Sequence, residues 1–113
     1  MEPNDLLPLP APVFHILVAL AEGERHGYSI MRDAEERTHG ALRLSPGTLY
    51  GSIRRMLEQG LIEEVERRAP ADDERRRYYR LTKFGRRTAE AEASRLAELL
   101  GKARAHGLLT QRG

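Results

Sequence analysis

Apolar positions recur along this chain in helical stripes, broken once by an alternating stretch. Val13, Phe14, Ile16, Leu17 and Leu20 form a wide stripe that predicts a first helix over residues 11–22, with Pro12 near its start and Gly23 at its end. Tyr28, Ile30, Met31 and Ala34 predict a second over residues 27–38, with Arg32, Asp33, Glu35, Glu36 and Arg37 towards solvent. Leu49, Ile53, Met56 and Leu57 make the stripe of a third, in the stretch 45–57. Ser45 suits its N-cap, Pro46 its first position, and Gly60 its end. The period then changes. Residues 61–68 and 77–81 read as two strands, with Tyr79 and Leu81 on one face and Tyr78 and Arg80 on the other. Residues 69–76, with Pro70 and three acids, suit the turn between them. Thr82 caps a last helix over residues 83–106. Its Ala89, Ala93, Leu96, Leu100 and Ala103 alternate four and three apart, like a coiled-coil seam, and Leu99, Leu108 and Leu109 widen it.

The order of these elements predicts a fold that is mostly α with a small β-hairpin. Two short helices joined by a turn match a helix-turn-helix, and the hairpin after them supplies a wing. Residues 1–10 read as a flexible, extended arm, residues 11–82 as the winged helix-turn-helix, and residues 83–113 as a dimerisation helix and tail. The arm holds Pro3, Pro8 and Pro10 but also Leu6, Leu7 and Leu9, so packing on a partner subunit and terminal disorder both stay open. The last helix needs cover for its stripe. Its long, narrow seam favours a second copy over the chain's own first helix.

Charge sharpens the picture. The net charge of +2 hides an asymmetry: −4 over residues 1–42, +5 over 43–87 and +1 over 88–113. The positive block sits on and after the third helix, which suits a polyanion. Turned over, that helix presents Gly47, Thr48, Gly51, Arg54 and Arg55, with Tyr50 at the edge. Small residues allow close approach to a DNA groove, while a hydroxyl and guanidiniums reach phosphates and base edges. Taken alone, the same face is also that of an ordinary solvated helix. Ser45 and Thr48 stand near the helix N-terminus, where the dipole favours an anion. Arg76, Arg77 and Arg80 around the wing add phosphate attraction.

Other chemistry finds little support. There is no cysteine, so no disulfide framework or thiolate. His15, His26, His39 and His106 lack metal-ligand spacing, and no metal or cofactor is expected. His15 reads as a packing residue and His26 as a local cap. No phosphate loop or nucleophile motif argues for an enzyme, and a solvated strand explains Glu63, Glu64 and Glu66. No apolar run approaches a membrane span, and the N-terminus lacks a signal-peptide pattern, which points to the cytoplasm.

With these pieces in order, the chain resembles the PadR family of bacterial transcriptional regulators. The matching residues are His26–Gly27–Tyr28–Ser29–Ile30, Ser45–Pro46–Gly47–Thr48–Leu49–Tyr50, Gly60–Leu61–Ile62, and Tyr78–Tyr79–Arg80–Leu81–Thr82 followed by Gly85. The single last helix is like that of the small-bodied branch. The resemblance implies a homodimeric winged helix that binds double-stranded DNA and represses from an inverted-repeat operator. It also implies that the last helix pairs with its copy and with the partner's first helix, here through Phe14 and Leu17. A small-molecule effector releases DNA in many relatives. This chain has no Trp, whereas drug-sensing relatives stack flat ligands on a tryptophan of the last helix. Its wing carries Asp72, Asp73 and Glu74, which phosphates repel, leaving Arg75, Arg76 and Arg77 to touch DNA. The rival reading is a winged-helix protein-interaction module that binds no DNA.

Overall fold

The computed structural model describes residues 1–68 and 75–109. The loop expected at the wing tip, with Asp72, Asp73 and Glu74, lies outside the described residues. Four helices and a three-stranded antiparallel sheet follow the order α1 (Ala11–Ala21), β1 (Arg25–His26), α2 (Gly27–Arg37), α3 (Pro46–Glu58), β2 (Ile62–Arg68), β3 (Arg75–Leu81) and α4 (Lys83–Ala105). This is the winged helix anticipated above.

Local chemistry sets the helix ends. The His26 ring accepts the Ser29 N–H at Nδ1, 3.2 Å, and starts α2. The Ser45 hydroxyl accepts the Thr48 N–H at 3.1 Å and starts α3. The Thr82 hydroxyl accepts the Gly85 N–H at 2.9 Å and starts α4. Gly60, at φ +75°, closes α3, with the Leu61 N–H bonded to the Met56 carbonyl at 2.9 Å. That is the left-handed turn a glycine makes without strain.

The core lies where α1, α2, α3 and the sheet converge. Ile16, Leu17 and Leu20 of α1 meet Ile30 and Ala34 of α2, Leu49, Ile53 and Met56 of α3, and Leu61, Ile62 and Tyr79 beside and within the sheet. Burying each large aliphatic side chain contributes about 1.5–3 kcal/mol. Strand β3 is central, in the order β1-β3-β2. The register sets Arg25 against Tyr79, Ile62 against Leu81, and Glu63 against Arg80.

The structure departs from the sequence reading in several places. Strand β1 was not anticipated, because two residues carry no readable alternation. Strand β3 begins at Arg75, since Arg67 and Arg68 pair with Arg76 and Arg75. Arg75 and Arg76, expected in the turn, thus belong to the strand, and residues 69–74 lie outside the described residues. The arm is not an extended tail. Pro3–Leu6 form a turn of 3-10 helix, Pro3 is buried, and the Leu9 N–H donates to a Glu92 carboxylate oxygen at 2.9 Å. Its apolar residues thus find cover on α4 of the same chain. Leu17 was assigned to dimerisation, but it is fully buried in the chain's own core and offers a second copy no surface. The stripe on α1 was wide enough to serve the core and leave Phe14 and Val18 half-buried at its edge. Tyr28 was placed on the apolar side of α2, yet it is exposed, with the Arg32 guanidinium 5.9 Å from its ring centre.

Candidate nucleic-acid interface

Helix α3 divides cleanly. Leu49, Ser52, Ile53 and Met56 face the core, so the opposite face is left to Gly47, Thr48, Gly51, Arg54 and Arg55. Arg54 and Arg55 are exposed and make no ion pair or hydrogen bond among the described residues. Glu58 stands on the same face one turn beyond Arg54. A methyl group added to Gly47 or Gly51 would touch nothing in the chain. Neither glycine is therefore required by packing, and each leaves the helix backbone open to an outside body.

The helix start is built from two hydroxyls. Ser45 accepts the Thr48 N–H and donates to the Thr48 hydroxyl oxygen, both at 3.1 Å. Ser45 is thereby occupied with capping, while the Thr48 hydroxyl keeps its own proton to donate outward. Tyr50 is 48% exposed. Its ring lies against the start of α2, where a methyl on Gly27 would stand 2.5 Å from the Tyr50 hydroxyl oxygen. One residue thus positions α2 against α3 and shows its other side to solvent.

The sheet's cations differ from those of the helix. The Arg80 Nε–H donates to Glu63 at 2.6 Å, and a second nitrogen of Arg80 lies 3.5 Å from Glu24. The hydrogen bond to Glu63 raises the Arg80 guanidinium above its ordinary pKa. Arg77 pairs with Glu64 at 3.3 Å. The two pairs lie on opposite sheet faces, as strand alternation requires. Glu64, Arg77 and Tyr79 share the face that holds the core, and Glu63, Arg80 and Tyr78 share the other. Burial raises the pKa of the Tyr79 phenol, with the nearby Glu64 and Tyr50 adding and Arg77 opposing. Arg77 therefore lies on the sheet face that packs against the core. Arg80 is on the far face, turned towards β1 and held by two carboxylates. Of Arg76 the backbone alone is described, in β3.

So the structure brings Gly47, Thr48, Tyr50, Gly51, Arg54 and Arg55 onto one surface, and puts Arg77 and Arg80 on opposite faces of the sheet. Among the described residues, no cluster of His, Cys, Asp or Glu could hold a metal ion, and no helix is long and apolar enough to cross a membrane.

Comparison with known proteins bears on this surface. The family described as "Transcriptional regulator PadR-like family" matches residues 16–91. The chain belongs to the PadR-like family. It is 36% identical over 85 residues to the transcriptional regulator Rv3488 of Mycobacterium tuberculosis, covering 75% of each chain. A further relative from Streptomyces fradiae is much longer, and the PadR-family chain spans 23% of its length, while one from Lysinibacillus sphaericus is of similar length and is spanned over 64%. Among solved structures, a PadR family transcription regulator from Clostridium difficile R20291 superposes with a TM-score of 0.74 at 23% identity, over 86% of this chain and 98% of that one. Bacillus subtilis PadR in complex with operator DNA superposes with a TM-score of 0.66 at 20% identity, over 74% of this chain and 47% of that one. The chain thus belongs to a family of transcriptional regulators and shares the winged-helix fold of these structures.

Proposed function

We propose that this regulator acts as a homodimeric repressor, laying α3 of each copy in the major groove of an inverted-repeat operator. One observation carries the reading. Among the described residues, the outer face of α3 joins two unpaired guanidiniums to two glycines that no packing contact demands. In this assignment Arg54, Thr48 and Tyr50 reach base edges or phosphates, Arg55 takes a phosphate, and Gly47 and Gly51 admit the groove wall. Arg77 adds attraction from the wing side. The dimer rests on α4. Leu96, Leu99 and Leu100 are exposed there. They continue towards an apolar groove of about 200 Å³ between α1 and α4, lined by Phe14, Val18, Ala89 and Ala93. A second copy's α4 supplies the apolar partner, with Ala103 at the far end of the seam. Two readers in such a dimer stand about 34 Å apart, one turn of DNA. Release by a small-molecule effector, as the resemblance implies, belongs to the same reading.

The test is fluorescence anisotropy with DNA from upstream of the protein's own gene, against scrambled DNA, over a salt series. Sequence-dependent, salt-steep binding is expected. Arg54→Ala should weaken it by about 1–3 kcal/mol if the guanidinium makes a bidentate base contact. Gly51→Ala separates interface from fold. It should raise helix stability by about 0.5–1 kcal/mol, yet lower affinity for the operator. Weak binding equal on both DNAs would instead favour a protein-interaction module.

A further inference from the structure

Acidic residues on a DNA-binding surface need a reason, because phosphates repel them. Glu64 and Arg77 lie 3.3 Å apart on the sheet face shared with Tyr79, and β2, which carries Glu64, packs against α3. Both are open to water, with side-chain exposures of 76% for Arg77 and 40% for Glu64. Glu64 is not one of the residues of the hydrophobic core. We propose that Glu64 sets the affinity of this protein for DNA: its carboxylate occupies Arg77, so that the sheet beside the reader helix attracts phosphate less than its cations alone would. This inference rests on the DNA-binding reading above and concerns only how strongly that same surface attracts DNA.

The physical argument is competition. An exposed ion pair is weak and exchanges with water and salt. A DNA phosphate can displace Glu64 from Arg77, but it must then accept the carboxylate as a close neighbour. The pair presents almost no net charge to an approaching duplex, whereas a free guanidinium counts fully in counterion release. Among the described residues Arg54 and Arg55 make no ion pair, so the attraction is concentrated on the helix that reads sequence. A brake on the sheet therefore lowers sequence-independent binding without touching base readout. The opposite sheet face is the built-in control. Glu63 holds Arg80 in the same way, but there the pair points towards β1 and Glu24, away from α3.

Glu64→Gln removes the charge and keeps the shape. In the full chain it should bind both upstream and scrambled duplexes about five-fold tighter at moderate salt, with the log–log salt slope steeper by about 0.9, one phosphate contact. The ratio between the two DNAs should stay as in the wild type. The gain should vanish in the Glu64→Gln, Arg77→Ala double variant, because the pair and not the lone carboxylate is the cause. Glu63→Gln should change neither affinity nor slope. Thermal unfolding of each variant checks that the fold is kept. Unchanged or weaker binding by Glu64→Gln would overturn the proposal, and so would a gain that survives removal of Arg77. Wild-type protein that binds neither duplex would overturn the DNA-binding reading itself. Wild-type binding with no gain in Glu64→Gln would overturn this inference alone.

Discussion

The first and second halves of α4 share one helix and one apolar rhythm but meet different fates. In the first half, Gly85, Thr88 and Glu92 are buried against the rest of the chain. A methyl on Gly85 would stand 1.8 Å from the Leu61 carbonyl oxygen. The Thr88 hydroxyl donates to the Phe84 carbonyl at 2.8 Å. Glu92 takes the arm's Leu9 N–H and the Arg95 guanidinium. In the second half, Leu96, Leu99 and Leu100 stand in water. The polar and small residues are thus inside and the large apolar ones outside. An apolar stripe marks where cover is needed, and the first half shows that a chain can supply its own cover with almost no large apolar residue.

Four changes test that division, and the first should have the largest effect. Gly85→Ala wedges α4 away from the Leu61 backbone and should cost about 3 kcal/mol or more, read as a fall in the thermal midpoint. An unchanged midpoint would mean the junction yields freely. Leu100→Ala acts on the other half. It should leave the monomer's fold intact and weaken association by about 1.5–3 kcal/mol, seen as monomer in light scattering on dilution. Monomer in the wild type at every concentration would remove the partner from the argument.

Acid should loosen the first half by a smaller amount. Hydrogen bonding to Arg95, then to the Leu9 N–H, holds the Glu92 carboxyl below its ordinary pKa. A lowered folded pKa means that the contribution is present above the unfolded value, about 4.3. It is lost as pH falls through the folded value. Glu92→Gln should reproduce that loss at neutral pH, about 1–2 kcal/mol, and flatten the acid limb of stability. An acid limb identical in variant and wild type would free Glu92 of that role. The smallest effect belongs to Lys102→Ala in the second half, whose 3.8 Å pair with Glu98 is exposed on both sides. It should move neither fold nor association by more than about 0.5 kcal/mol, measured by the same two methods.

Much of this molecule was readable before any coordinates. Ser45 and Thr82 cap as their hydroxyls suggest, and Gly60 ends α3, because caps and turns depend on residues within one turn of each other. The outer face of α3 follows from helical period alone. What failed to read depends on distance along the chain. The buried Glu92 is explained by Leu9, which is 83 residues away. Leu17 and Phe14 sit on one stripe, and only the packing of α2 and α3 decides which of them is enclosed. The arginines of the sheet looked equivalent to those of α3. Their neutralisation by Glu24, Glu63 and Glu64 follows from strand register, which periodicity does not supply.

The seat of Tyr50 against Gly27 bears on how such a regulator changes its target over generations. In the proposed mode of DNA binding position 50 belongs to the reading surface, and its ring also lies against the start of α2. A substitution there alters both what is read and the contact between the two helices. A methyl at position 27 would meet the Tyr50 hydroxyl at 2.5 Å, so the outer end of that ring would have to shift. Thr48 likewise serves twice, through its hydrogen bonds with Ser45 at the helix start. On this reading, drift towards a new operator is open at positions 54 and 55 one residue at a time, while changes at positions 48 and 50 also touch the frame that presents them.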